Sequence, residues 1–160
     1  MREVFDRHGC DKGQRHSYER IYEPVFAPIR NEAFTLLEIG VFRGASLAAW
    51  ADYFPNALLI GVDTFQRVPP HEVAILSHPR VKWFQMDSTR EAPDVRVDFI
   101  IDDGNHTPEA QLATLALYRP LLNPGGRYFI EDAPTLRIPG ATVHKTGRAF
   151  DSRIIEVVNV

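Results

Sequence analysis

Short, nearly continuous apolar runs alternate along the chain with longer mixed segments. "TLLEIGV" (35–41), "ALLIGVD" (57–63), "VKWFQMD" (81–87), "VDFIID" (97–102) and "GGRYFIED" (125–132) read as strands. Each is too short for a typical helix, and most are apolar at consecutive positions, as strands covered on both faces must be. The tail predicts two more strands, around "ATVHKT" (141–146) and "SRIIEVVNV" (152–160), joined by "GRAFD". Between them, "SLAAWADYF" (46–54) is helical in propensity and stops before Pro55. "TPEAQLATLALYRP" (107–120) predicts a second helix, with Thr107 as cap, Pro108 in the first turn and Leu112, Leu115 and Leu122 as its apolar stripe. The connections after the second, third and fifth strands are short and rich in proline or charge, which predicts reduced or missing helices there.

Strand alternating with helix predicts an α/β fold: a doubly wound, mostly parallel seven-stranded sheet, Rossmann-like, in one domain. Residues 1–34 read as an N-terminal helical arm and residues 35–160 as the core. In such sheets ligands bind outside the carboxyl ends of the strands, at the point where strand order reverses.

Composition narrows the class. The chain has 160 residues, 44% hydrophobic and 24% charged, with a formal charge of -3, so no basic footprint for nucleic acid is present. Cys10 is the single cysteine, which excludes an internal disulfide and a cysteine-ligated zinc site. There is no membrane-length apolar run and no signal-peptide pattern at the N-terminus, so a cytoplasmic protein with no membrane partner is expected.

Candidate chemistry gathers at the strand ends. "EIGVFRGAS" (38–46) is a glycine turn between strand and helix, a place where a ligand can approach backbone and helix N-terminus. Phe42 stands where a dinucleotide fingerprint needs its second glycine, which argues against a dehydrogenase. The spacing E-x-G-x-x-x-G-x-S instead resembles the first motif of class I S-adenosylmethionine-dependent methyltransferases. Asp63 ends the second strand, where a carboxylate can accept ribose hydroxyls, and Asp87 ends the third, where this class holds the adenine edge. Singly, each would also suit a solvated strand end.

Asp102 and Asp103 end the fourth strand, and Glu131 and Asp132 end the fifth. If those strands are neighbours, four carboxylates converge on one rim. They raise one another's pKa unless a cation neutralises them, and hard oxygen ligands suit Mg²⁺ or Mn²⁺. His106 follows Asp103 by three residues and suits a general base acting on a hydroxyl. His71 and His78 read as surface residues, His144 as structural, and Arg43 as solvated.

Four segments together, "DKGQRHSYERIYEPVF", "LLEIGVFRGASLAAWADYFPNA", "IIDDGNHTPEAQ" and "LLNPGGRYFIED", resemble the metal-dependent sugar O-methyltransferases of macrolide and related antibiotic pathways, the mycinamicin and macrocin type. The resemblance runs from about residue 9 to the end. It implies Asp103, Glu131 and Asp132 as ligands of Mg²⁺ or Mn²⁺ and His106 as base. It implies a donor site of Glu38, Gly40, Gly44, Ser46, Asp63, Asp87 and Asp102, with Lys12, His16 and Tyr18 folding over donor or substrate. An arm held only by packing of Tyr18 and Tyr22 is the alternative for that last segment.

The activity implied is S-adenosylmethionine-dependent methylation of a hydroxyl on a sugar or sugar-containing natural product. A catechol-type O-methyltransferase and a non-catalytic donor-binding module are the alternatives. The short "APTLRIPGA" after the fifth strand leaves open whether a homo-oligomer completes the acceptor pocket from another subunit.

Overall fold

A computed structural model describes residues 1–147 and 149–159. Three short helices come first, α1 (Arg2–Arg7), α2 (Asp11–Gln14) and α3 (Glu19–Phe26). Then follow β1 (Thr35–Ile39), α4 (Ala45–Tyr53), β2 (Leu58–Asp63), β3 (Val81–Gln85), β4 (Val97–Asp102), α5 (Pro108–Tyr118), β5 (Leu122–Ile130), β6 (Thr142–Lys145) and β7 (Arg153–Val158). All seven predicted strands are present, in the order β3-β2-β1-β4-β5-β7-β6. β1 to β5 are parallel, and β7 and β6 close the sheet antiparallel. Single 3₁₀ turns replace a helix after β2, as the proline-rich connection predicts. Part of the predicted "GRAFD" link, Arg148, lies outside the described residues.

The sheet buries two unlike faces. On one, α1 to α4 cover an aromatic core around Trp50, whose ring meets Phe5, Tyr22 and Phe26 edge-on at centroid distances of 5.0, 5.4 and 5.7 Å. Edge-to-face pairs of this kind add about 0.5–1.5 kcal/mol each beyond the area they bury. On the other face, α5 and the segment around Ala133 and Leu136 cover a mainly aliphatic layer of residues such as Leu37, Ile39 and Ile100, with Tyr118 and Tyr128 among them.

The stripe expected of α5 differs. Thr107 does cap it, accepting from the Ala110 N–H. Leu112, however, is exposed, and Leu122 begins β5; the buried positions are Gln111, Thr114, Leu115 and Tyr118. The physical reason is polar work at that end: Gln111 Nε2 donates to the Glu131 carbonyl at 3.0 Å, and Thr114 Oγ1 lies 3.3 Å from Ser88 Oγ.

Register sets the site. Ile39 pairs with Val62 and with Asp102, and Asp102 with Ile130. One step further the ladder continues through Gly40 N–H to Val62, Asp103 N–H to Ile39 and Glu131 N–H to Asp102. Gly40, Asp63, Asp103 and Glu131 therefore stand side by side on the carboxyl rim, across the point where strand order reverses.

Arg80 ties the frame together from below. Its guanidinium donates to the carbonyls of Ala51, Phe54 and Ala57 at 2.6, 2.7 and 2.9 Å, satisfying the end of α4 and the entry to β2. Arg80→Ala is expected to lower stability by about 2–3 kcal/mol, since bonds from a charged donor are the stronger class. Arg80→Lys should recover only part of it, because an ammonium lacks the planar fork; urea denaturation reads both.

Candidate active site

Strand alternation decides which carboxylates meet. Side chains of neighbouring strand residues point to opposite faces. Glu38 on β1, Asp103 just past β4 and Glu131 just past β5 all turn to the aromatic face, the side of α1 to α4. Asp102 turns to the other face, where its Oδ2 accepts from the Tyr128 hydroxyl at 3.1 Å. The sequence predicts all four carboxylates of β4 and β5 on one rim; the structure instead sets Asp102 on the opposite face, because its side chain alternates with that of Asp103. Asp102 and Glu131 are almost wholly buried, and Asp103 and Asp132 keep solvent contact.

A lysine fills the space between the buried set. Lys12, on α2, has no exposed surface. Its Nζ donates to Asp103 Oδ2 at 2.6 Å and Glu131 Oε2 at 2.5 Å, and lies 3.9 Å from Glu38 Oε1. Burial pulls the ammonium pKa down, but Asp103, Glu131 and Glu38 more than reverse this, so it stays charged. The other oxygen of Glu131 accepts a short hydrogen bond from the Tyr22 hydroxyl. Glu38 Oε1 accepts from Ser46 Oγ at 2.5 Å, while its Oε2 is buried without a partner. Burial pushes the Glu38 carboxyl up to about 7.

Asp132 breaks the alternation. Its φ of 49° is left-handed, a costly conformation for a residue with a Cβ and one that concentrates at functional sites. It turns the carboxylate outward beside Asp103. Asp132 Oδ1 accepts from the Tyr18 hydroxyl at 2.5 Å. His106 is exposed, with Nε2 3.8 Å from Asp103 Oδ1. Asp103, His106 and Asp132 each offer one ligand atom, and these lie within 4.8 Å of one another, a grouping that suits a divalent cation. His16 is buried against Tyr18 with Nδ1 3.0 Å from Ser152 Oγ, on the far side of Asp132.

The glycine turn is held rigidly. Gly40 has φ 89°, and a Cβ there would lie 2.1 Å from the Asp103 carbonyl oxygen, so the turns after β1 and β4 touch through backbone alone. Gly44 (φ 78°) starts α4. Asp63 Oδ2 accepts from the N–H groups of Val41 and Phe42 at 2.8 and 2.9 Å, and Oδ1 from that of Phe65 at 2.8 Å. This bracing role was not predicted; the signal for it is Phe42, a non-glycine at φ 49° whose N–H needs an acceptor. Asp87 sits apart, two residues past β3, with Oδ1 accepting from Thr89. Cys10 is buried and its thiol is pushed up to about 12, so it is not a nucleophile.

A family model described as a methyltransferase domain matches residues 37–133, and the chain belongs to that family. It is 37% identical, over 81% of its length, to the 8-demethyl-8-alpha-L-rhamnosyl tetracenomycin-C 2'-O-methyltransferase of Streptomyces olivaceus. It is 30% identical, over 80% of its length, to the mycinamicin VI 2''-O-methyltransferase of Micromonospora griseorubida. The chain spans 36% and 34% of those relatives' lengths, little more than a third. Among solved structures it resembles the MycE methyltransferase from the mycinamycin biosynthetic pathway in complex with Mg, SAH and mycinamycin VI. That likeness has a TM-score of 0.68 and 28% identity, covering 81% of this chain and 38% of that one.

Asp102 gives a pH test. Burial pushes its carboxyl up to about 7, against the opposing bonds from Tyr128 and Gly104. An unfolded aspartate ionises near about 4. The native state therefore binds the extra proton between these values, and the stability it contributes, full below about pH 4, is lost as pH rises through about 7. Asp102→Asn stays neutral, so its advantage in melting temperature over the native chain should grow from about pH 4 to about pH 7 and then level off.

Proposed function

We propose that the chain is the catalytic core of an S-adenosylmethionine-dependent, divalent-metal-assisted O-methyltransferase acting on a sugar hydroxyl of a glycosylated natural product. The carrying observation is the Asp103–His106–Asp132 group beside the glycine turn at the switch point of the sheet. The residues fit both ligands. Three carboxylates (Glu38, Asp103, Glu131) surround one buried ammonium and Asp132 stands beside Asp103, so a further cation is accommodated. The unpartnered Glu38 oxygen suits a donor's ammonium or hydroxyl.

In this reading Asp103, Glu131 and Asp132 hold Mg²⁺ or Mn²⁺. Bound there, the cation supplies Lewis-acid polarisation of an acceptor oxygen. His106 takes the proton of the acceptor hydroxyl as methyl passes from sulfur to oxygen. The braced glycine turn orients the donor, with Glu38, Gly40, Gly44 and Ser46 beneath it, and positioning of the reacting atoms supplies much of the rate. Asp63 acts by fixing the turn, with Asp87 at the outer end of the donor site. The acceptor is a small glycosylated metabolite, and the reaction is cytoplasmic, where the donor is made. Among the described residues no helix is long and apolar enough to cross a membrane.

Two measurements test this. Calorimetric titration with S-adenosylhomocysteine is expected to show binding, and absence of binding with and without Mg²⁺ would sink the proposal. His106→Ala should lower methyl transfer to glycosylated acceptors at least about a hundredfold, the size of a general-base contribution, with affinity for S-adenosylhomocysteine changed less than about twofold.

A further inference from the structure

Resting on the proposed methyl transfer to a glycosylated acceptor, the geometry points to Phe150 as the residue that grips the acceptor's aglycone, the apolar group to which the methylated sugar is attached. A lone exposed apolar side chain is ordinary on a protein surface; the position of this one singles it out. Phe150 is 86% exposed, the most of the large hydrophobic residues described. It stands in the turn between β6 and β7, one residue before Asp151.

That turn reaches the rim beside the reacting group. The Tyr18 hydroxyl lies 2.5 Å from Asp132 Oδ1 and 3.2 Å from the Asp151 carbonyl oxygen, bridging the two. A carboxylate oxygen of Asp151 lies within 4.8 Å of one of Asp132, and a His106 nitrogen lies within the same distance of Asp132. His106, Asp132 and Asp151 therefore follow one another in short steps, with Phe150 next. The sheet order gives the direction. The glycine turn and Asp63 follow β1 and β2, on one side of β4, and the β6–β7 turn lies beyond β5, on the other. In-line transfer sets the acceptor oxygen opposite the departing sulfur. With the donor at the glycine turn, the acceptor extends toward β5 and β7, and a sugar hydroxyl at His106 leaves the aglycone on the side of Phe150.

The turn is held and its ring is not. Arg15 Nη2 donates to Asp151 Oδ2 at 3.1 Å. Ser152 Oγ accepts from the Ala149 N–H at 3.2 Å and lies 3.0 Å from Nδ1 of the buried His16. Thr146 N–H donates to the Ser152 carbonyl at 3.2 Å. The backbone on both sides of Phe150 is thus tied to itself and to the arm, while the ring stands in solvent. An aromatic side chain on a fixed turn meets an apolar group with little ordering cost, and aromatic anchors carry much of the energy of such contacts.

Calorimetric titration of the S-adenosylhomocysteine complex, with Mg²⁺ present, tests this with para-nitrophenyl α-L-rhamnoside and methyl α-L-rhamnoside, which share a sugar and differ in aglycone. The native chain should bind the aryl glycoside at least about tenfold more tightly. Phe150→Ala should weaken the aryl glycoside about tenfold, the size of a truncated aromatic anchor, and the methyl glycoside less than about twofold, which erases the preference. Phe150→Trp should keep the preference, and affinity for S-adenosylhomocysteine should change less than about twofold in both variants. Equal weakening of both glycosides, or weakening of neither, overturns the assignment and leaves the proposed function standing. Binding of S-adenosylhomocysteine without either glycoside overturns it too, while the donor site stands. Absence of S-adenosylhomocysteine binding sinks the proposed function and the assignment with it.

Discussion

A buried ammonium among three carboxylates is the constraint on which the rest of the structure depends. Desolvating a charge is expensive, and the cost is offset only when the partners are close and their remaining valences are met. Here Lys12 meets Asp103 and Glu131 at hydrogen-bond distance, Tyr22 satisfies the other oxygen of Glu131, and Ser46 and, at 3.4 Å, the Trp50 N–H serve one oxygen of Glu38. These contacts join the arm to the ends of β1, β4 and β5. The aromatic core beneath them keeps water out, so packing and polar network support each other.

That arrangement divides the acidic residues by function. Glu38 and Glu131 lie inside, neutralised or bonded. Asp103 and Asp132 stand at the surface, each with one oxygen tied to the arm, by Lys12 and by Tyr18. The arm therefore does more than cover the sheet: it aims both half-buried carboxylates. Asp132 is strained to do so, and the surrounding bonds hold the strain.

On the other side of the switch point, Asp63 does for the glycine turn what Lys12 does for the carboxylates. One side chain organises three backbone N–H groups, and the turn then lies flush against the backbone after β4 through Gly40. The glycine turn and the carboxylates after β4 and β5 are in this way two halves of one rim, braced from opposite flanks.

Much of this was legible in the chain itself. Apolar runs marked all seven strands, and strand-end aspartates with one glycine turn marked the rim, because hydrophobic periodicity and turn chemistry are local properties. The α5 stripe misled, since Leu112 is exposed and Gln111 buried, and packing against a polar strand end overrode the pattern. Even the split of Asp102 from Asp103 follows from the two-residue period of a strand once its ends are known. The place of Lys12 does not. It lies 91 residues from Asp103 and 119 from Glu131, in a four-residue helix too short to carry a periodic signal. The sequence by itself determined the sheet, the rim and the kinds of groups on it. Which cation sits among them, and which carboxylates remain free, was decided only when the arm folded onto the strand ends, because charge pairing depends on distance in space and not along the chain.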